Sequence, residues 1–117
     1  MSKVGRIRIL VVLVLALLAL LAVRLHDANG AAAEQDSITA GQRLAEAWCA
    51  KCHVLDTASA GTVGRAPDFV RIANRASTTE LSLKVFLRSN HRSMPNLIIT
   101  PDQADNLAQF ILSLKRG

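Results

Sequence analysis

The apolar residues of this chain follow two different patterns on either side of residue 34. Residues 9–23 form an unbroken apolar run. From residue 34 on, apolar positions recur at spacings of three and four, which is typical of amphipathic helices, and no segment shows the strict alternation that indicates a strand. The pattern therefore predicts an all-α domain, a small bundle of about four helices, over residues 34–117, and a separate N-terminal segment over residues 1–33.

Capping signals and helix breakers predict the bounds of the first two helices. The first is expected to begin near Ser37 or Thr39 and to end near Cys52. Residues 57–64 are small and include two glycines, which is a loop composition. Pro67 is placed to open a short second helix, because its fixed φ suits the first helical position.

The third and fourth helices carry clear start signals. Ser77 and Glu80 have the spacing of a capping box, and the helix that follows is expected to fade near Asn90. Thr100 and Gln103 form a second capping box, with a proline at the first helical position between them. The fourth helix is then expected to pack through one apolar stripe. Its members are Leu107, Phe110, Ile111 and Leu114.

The N-terminal segment has the three parts of an export signal. Basic residues come first, the apolar run of residues 9–23 follows, and the small residues of 28–33 resemble a cleavage site before Glu34. We therefore expect a signal peptide that is cleaved there. The alternative is an uncleaved anchor in the inner membrane, although a span takes about 20 apolar residues and this run is shorter. Either outcome exports the remaining chain to the periplasm.

The charge and the size of residues 34–117 limit the functions that this part of the chain can have. The whole chain carries a formal charge of +5, but only +2 remains from residue 34 on, where ten Lys or Arg stand against eight Asp or Glu. That charge is too small to indicate a nucleic-acid partner. A domain this small, with four aromatic side chains, buries a limited core and usually needs a disulfide, a metal or a cofactor.

Residues 49–53 read Cys-Ala-Lys-Cys-His and match C-x-x-C-H, the attachment pattern of haem c. Cys49 and Cys52 project from one face of a helical turn, so both sulfurs can form thioethers with the two vinyl groups on one haem edge. His53 then lies beneath the ring with an imidazole nitrogen directed at the iron. We therefore predict one covalently bound haem c, with His53 as a ligand of its iron.

Three other uses of these cysteines fit less well. A disulfide between Cys49 and Cys52 would close a very small loop and leave His53 without a role. A thioredoxin-like redox pair needs a βαβ setting, which the apolar pattern does not indicate. A structural zinc site needs four ligands, and neither His26 nor His91 supplies a second pair.

The second axial ligand of the iron has two candidates. Met94 is the only methionine after the N-terminal segment, and it stands before a proline in a turn between two predicted helices rather than on an apolar stripe. His91 is the alternative, because an imidazole is an equally good ligand by type. We favour Met94, whose thioether favours ferrous iron and so raises the reduction potential.

These motifs together resemble a class I bacterial cytochrome c from Ser37 to the C-terminus. The residues that carry the resemblance are Gly41, the block from Trp48 to His53, Ala66 with Pro67, Met94 with Pro95, and Leu107 with Phe110. The family implies a helical fold around one covalent haem and the transfer of single electrons. This chain departs from it at Ala45, where the family often has an aromatic residue, and in the short span of 40 residues between His53 and Met94.

The resemblance also implies two contacts. In the family the glycine of the first helix lets the last helix cross closely, which implies that Gly41 touches Leu107 and Phe110. The family's proline carbonyl accepts a hydrogen bond from Nδ1 of the histidine that ligates the iron. By this resemblance, the carbonyl of Pro67 accepts the hydrogen bond from His53, orients its ring and raises its basicity, which makes Pro67 part of the cofactor site.

The expected function is that of an electron carrier rather than an enzyme. Two strong axial ligands leave no open position on the iron, and no Ser/His/Asp or paired-carboxylate arrangement stands out. The partners are then redox proteins, a donor and an acceptor. Four basic residues could surround the exposed haem edge and steer an acidic partner, and the alternative is that they are ordinary solvated charges. They are Lys51, Arg65, Arg88 and Arg92.

Two other functions stay open from the sequence. A cytochrome subunit of a periplasmic dehydrogenase or of a membrane oxidase would co-purify with a large partner, whereas a free carrier is a monomer. A haem-based ligand sensor would have a displaceable Met94 and would bind carbon monoxide in the ferrous state at neutral pH.

Overall fold

The computed structural model describes residues 2–55, 66–89 and 94–116, and the chain divides into two compact units, Met1–Ala33 and Glu34–Gly117. The described residues contain four helices and no strand, which confirms the all-α prediction. The helices are α1 (Lys3–Trp48), α2 (Phe69–Ala73), α3 (Glu80–Leu87) and α4 (Pro101–Ser113).

The first helix is longer than predicted. It begins at Lys3 rather than near Ser37 or Thr39, and it includes the alanine-rich residues 28–33. Alanine has the strongest helix propensity, and a single glycine inside a helix costs only about 1 kcal/mol. No proline occurs before residue 67 to end the helix earlier. The predicted start was wrong because residues 3–48 form one uninterrupted helix.

The unit Met1–Ala33 consists largely of the first part of α1. The apolar side chains of residues 9–23 are exposed, and α1 is long and apolar enough, by length and composition, to cross a membrane. A signal sequence near the N-terminus meets the same criteria. The signal-peptide interpretation of residues 1–33, with an anchor as its alternative, stays a prediction.

A side-chain cap fixes the start of α2. The Asp68 carboxylate accepts a hydrogen bond from the Arg71 amide at 2.6 Å. Pro67 therefore lies just before the cap instead of at the first helical position, because the aspartate side chain satisfies an amide of the first turn. Beyond the helix, the Asn74 side chain accepts a hydrogen bond from the Arg116 amide at 3.0 Å and ties the end of the chain to α2.

The N-cap of α3 lies two residues after the predicted one. Thr79 is the N-cap: its hydroxyl accepts a hydrogen bond from the Ser82 amide at 3.1 Å, and the Ser82 hydroxyl accepts one from the Thr79 amide at 2.9 Å. The predicted box of Ser77 and Glu80 is therefore wrong. With Thr79 as the cap, Ser82 occupies the third helical position and closes the reciprocal pair.

Both the N-cap and the apolar stripe of α4 agree with the prediction. Thr100 Oγ1 accepts a hydrogen bond from the Gln103 amide at 3.3 Å, and Gln103 Oε1 accepts one from the Thr100 amide at 3.0 Å. Pro101 is the first helical residue. Of the predicted stripe, Leu114 is half-buried and the other three residues are buried. The buried ones are Leu107, Phe110 and Ile111.

Close approach of two backbones defines the packing of α4 near Gly41. A Cβ atom at Gly41 would lie 1.9 Å from the carbonyl oxygen of Asn106 and 2.8 Å from Cβ of Phe110. Beside this crossing, the Ser37 hydroxyl donates to the Asn106 side-chain oxygen at 2.5 Å. The expected contact of Gly41 with Phe110 is therefore present, while its nearest neighbour on α4 is the Asn106 backbone rather than Leu107.

Candidate functional site

A tight turn at the end of α1 brings both cysteines and the adjacent histidine together. The helix ends at Trp48, four residues before its predicted end. The amides of Cys52 and His53 then both donate to the Cys49 carbonyl, at 3.0 and 2.9 Å. Cys49 is 5% exposed and Cys52 is half-buried, and both are free thiols. Burial raises the pKa of the Cys49 thiol.

Three hydrogen bonds hold the residues around His53 against the segment that begins at Ala66. They join the Ala66 amide to the Cys52 carbonyl (3.0 Å), His53 Nδ1 to the Pro67 carbonyl (2.6 Å) and the Phe69 amide to the Val54 carbonyl (2.9 Å). A carbonyl oxygen only accepts, so Nδ1 of His53 carries the proton and donates. The lone pair of the histidine is then on Nε2, which leaves that atom available to a metal.

Aromatic packing fixes the plane of the His53 ring. The ring centroids of His53 and Phe69 lie 5.1 Å apart at 51°, and those of Phe69 and Phe110 lie 6.3 Å apart at 60°. These are tilted arrangements within the range that aromatic pairs prefer. Because Phe110 also touches Gly41, the orientation of the histidine depends on the helix crossing at the other end of this row.

The histidine and the methionine line the same apolar cavity. The central cavity, as we call it, encloses about 420 Å³, including the part that is open to solvent. Its lining residues are Cys49, His53, Phe69, Ile72, Leu83, Phe86, Leu87, Met94, Leu107 and Ile111. Every helix of the domain contributes to this wall or borders it, so the cavity is where the bundle would hold a cofactor.

A second cavity adjoins the two cysteines. This cysteine cavity encloses about 390 Å³, including the part that is open to solvent. It is lined by Trp48, Cys49, Cys52, His53, Ala66, Met94, Pro95 and Leu97. Three of these residues, Cys49, His53 and Met94, also line the central cavity. The two cavities therefore share part of their walls, and the two cysteines, the imidazole and the thioether all lie along them.

This donor set fits a haem better than a bare metal ion. Within the described ranges, no group of three or more His, Cys, Asp or Glu side chains is placed to hold a metal ion. A haem brings four nitrogen ligands of its own, so the protein needs to supply only one or two axial ligands. Apolar walls suit the porphyrin face, since ligand pockets are lined predominantly by hydrophobic side chains.

Several sequence expectations concern other residues near the site. Trp48 is 39% exposed and lines the cysteine cavity, and Ala45 is fully buried. Lys51 and Arg88 are exposed. Other residues of the predictions lie outside the described ranges. They are the loop 57–64, Arg65, Asn90, His91 and Arg92.

One wall of the central cavity is formed by apolar residues of α2 and α3 that the motifs in the sequence do not indicate. Leu83 and Phe86 of α3 and Ile72 of α2 line it. The spacing of Leu83 and Phe86 indicates an apolar helix face, but only the packing of α2 and α3 shows that this face borders the space beside His53. An apolar stripe on a helix indicates that one face is buried, but it does not indicate which element packs against that face.

A scan of protein families agrees with this geometry. Residues 38–115 match the family described as Cytochrome c. The chain therefore belongs to the cytochrome c family, and its one C-x-x-C-H motif makes it a monohaem member of class I. Among curated relatives, cytochrome c-552 of Bradyrhizobium diazoefficiens is 33% identical over 75 residues, which cover 64% of this chain and 72% of the relative. No solved structure matches the chain significantly.

Family membership establishes the general activity. The protein binds haem c covalently, transfers electrons and is not an enzyme. It works with redox partner proteins, as members of this family do. The N-terminal apolar helix is consistent with a signal or an anchor.

Proposed function

We propose that the protein is a periplasmic carrier of single electrons whose haem is attached through Cys49 and Cys52 and ligated by His53 and Met94. The observation that carries this proposal is the contact of His53 Nδ1 with the Pro67 carbonyl at 2.6 Å. It directs the protonated nitrogen away from the cavity and leaves Nε2 for the iron. Pro67 is thus a positioning residue of the site.

Met94 is the second axial ligand in this proposal. It lines both cavities together with His53, and it precedes Pro95, which lies beside the cysteines. A bound haem supplies a one-electron ferrous–ferric couple, and a thioether ligand raises its potential. With an imidazole and a thioether both held by the fold, the chain offers no vacant coordination position to a substrate or a gas.

The N-terminal segment determines where this carrier works. Basic residues precede an exposed apolar helix, and small residues follow it, which together support export. We infer that residues 1–33 form a cleaved signal peptide, so that residues 34–117 function in the periplasm. An inner-membrane anchor is the second outcome, and the mass of the purified protein distinguishes the two.

The test uses protein produced in a host that attaches haem c. Mass spectrometry of the acid-denatured chain should show one haem added to residues 34–117. The ferric protein should show the methionine–iron charge-transfer absorbance, and Met94→Ala should lose it and lower the reduction potential. His91→Ala is the matched control and should keep both. A wild type that lacks the band, with a potential that changes in His91→Ala and not in Met94→Ala, would make His91 the ligand, and rapid carbon monoxide binding by the ferrous wild type would favour a sensor.

A further inference from the structure

The buried residues near the end of α1 form a stripe with a spacing of four. Between residues 34 and 50, the buried positions are Gly41, Ala45 and Cys49. Residues four apart lie on the same face of a helix. The Cys49 amide donates to the Ala45 carbonyl at 2.8 Å, so Cys49 continues this face beyond the last helical residue. Ala45 is 0% exposed and lines neither the central nor the cysteine cavity.

A row of three rings follows the same direction as this stripe. The ring centroids of Phe110 and Phe69 lie 6.3 Å apart, and those of Phe69 and His53 lie 5.1 Å apart. At one end, a Cβ at Gly41 would lie 2.8 Å from Cβ of Phe110, and at the other the His53 amide donates to the Cys49 carbonyl at 2.9 Å. The eight steps from Gly41 to Cys49 span about 12 Å at 1.5 Å per residue. The two centroid distances together come close to that length.

Because the two ends coincide, the middle members of the stripe and of the row lie across from each other. These are Ala45, which is 0% exposed, and Phe69, which is 4% exposed, and both belong to the same buried core. Protein interiors are close-packed, so a ring needs a small side chain opposite it. The stripe is therefore narrow at the point where the row is widest.

Phe69 is held on both sides of its contact with His53. Its amide donates to the carbonyl of Val54, the residue after the histidine, at 2.9 Å, and its ring lies between those of His53 and Phe110. The hydrogen bond from His53 to Pro67 restrains one ring atom, and carbonyl hydrogen bonds tolerate a broad range of directions. Contact with a neighbouring ring restrains the whole imidazole plane.

We propose that Phe69 is a positioning residue that sets the direction of the His53 plane, and that Ala45 is small because the Phe69 ring occupies the space across from it. The inference rests on the proposed function, since it requires His53 to ligate the iron of a bound haem. The direction of an imidazole plane decides how its π orbital overlaps with the iron d orbitals, which sets the pattern of the four haem methyl shifts in the ferric state. The family often has an aromatic residue at position 45, and here the ring comes from α2 instead.

The first test compares Phe69→Leu with Phe86→Leu in the ferric holoprotein. Both changes remove a phenylalanine ring from the wall of the central cavity, and the ring contact with His53 belongs to Phe69. We expect Phe69→Leu to change the order or the spread of the four haem methyl shifts in the proton NMR spectrum. Phe86→Leu should keep the wild-type order and change the spread less. Equal changes in the two variants would overturn the positioning role.

The second test measures the pairing of Ala45 with Phe69 by urea unfolding of the holoprotein. Ala45→Leu should lower the unfolding midpoint of the wild type, because overpacking a core destabilises it. The same change should raise the midpoint of Phe69→Ala, since the leucine fills the cavity that the lost ring leaves. Ala104→Leu, a fully buried change in the first turn of α4, is the control and should lower the midpoint in both backgrounds. A midpoint that Ala45→Leu lowers in both backgrounds would overturn the pairing.

A third measurement needs no variant and covers the case in which Phe69→Leu fails to mature. In the ferrous wild-type holoprotein, nuclear Overhauser contacts should connect the Phe69 ring protons with those of His53 and of Phe110. Assigned ring protons without such contacts would contradict the inference. A wild-type chain without covalent haem would instead contradict the proposed function itself, and its mass reveals this independently.

Discussion

The Nδ1 atom of His53 lies 2.6 Å from the carbonyl oxygen of Pro67, and backbone hydrogen bonds from Ala66 and Phe69 flank this contact on both sides. The histidine is therefore held by the segment that it faces as well as by its own turn. A proline at the centre of this arrangement restricts φ, so the accepting carbonyl is fixed before the hydrogen bond forms.

Pro67→Gly tests how much this fixed carbonyl contributes. The substitution keeps the carbonyl but frees φ, so we expect a weaker bond to His53, a less electron-rich imidazole and a higher reduction potential. The free energy of unfolding should fall by about 1 kcal/mol. Redox titration and urea unfolding measure the two effects. Pro101→Ala, at the start of α4, is the control and should leave the potential unchanged; an unchanged potential in Pro67→Gly would remove the positioning role.

Gly41→Ala tests the helix crossing. The added Cβ would stand 1.9 Å from the Asn106 carbonyl oxygen, which is backbone and cannot turn aside. Overpacking typically costs 1–3 kcal/mol, and we expect about 3 kcal/mol or more here, measured by urea unfolding of the holoprotein. Arg43→Ala, an exposed change in the same helix, should alter stability by less than about 0.5 kcal/mol. A loss of that small size in Gly41→Ala would mean that α1 and α4 cross less closely than described.

Local signals predicted the features that depend on a few neighbouring residues. The cap of α4 needs only Thr100 and Gln103, and the apolar stripe of that helix follows from its own period. The C-x-x-C-H block likewise indicates haem attachment without reference to the rest of the fold. Each of these depends on contacts within one turn or one helix, so neighbouring residues in the sequence contain the necessary information.

The features that were missed depend on choices between equivalent signals or on tertiary packing. Ser77 and Thr79 are both good caps, and only the reciprocal bond from Ser82 selects the second. The helix α1 runs through residues 28–36 without a break, so neither Ser37 nor Thr39 begins a helix. The walls of the central cavity come from α2, α3 and α4 and from the segments that contain Cys49, His53 and Met94. The apolar period of one helix does not show which other helix packs against it.

Thr100→Ala tests the cap that the sequence predicted. Loss of the hydroxyl leaves the Gln103 amide without its partner, and such changes cost typically about 1 kcal/mol. Thermal or urea unfolding should show this loss, and Thr100→Ser should recover most of it because serine caps equally well. Thr39→Ala is a control, since the Thr39 hydroxyl donates to a carbonyl within α1 and caps no helix. Equal losses at residues 39 and 100 would contradict the capping argument.

Lys84 links α3 to α4 and predicts a dependence of stability on pH. Its ammonium group pairs with Glu80 in its own helix and with Asp105 of α4 at 3.0 Å, and these hydrogen bonds, Glu80 first, raise the pKa of Lys84. A group whose pKa is higher in the folded state contributes its full stabilisation below the unfolded-state pKa, about 10.4 for lysine. That contribution is lost as the pH rises through the folded-state pKa.

We therefore expect the free energy of unfolding to fall more in the wild type than in Lys84→Gln between pH 9 and pH 11.5. This range extends roughly one unit to either side of the unfolded-state pKa of lysine. Urea unfolding of the ferrous holoprotein at both pH values measures the difference. Lys115→Gln removes a lysine that follows α4 and has no ion-pair partner within the described ranges, so it should keep the wild-type pH dependence. If Lys84→Gln also keeps it, the link between α3 and α4 makes no measurable contribution, and α3 is held by the apolar contacts around Leu83 alone.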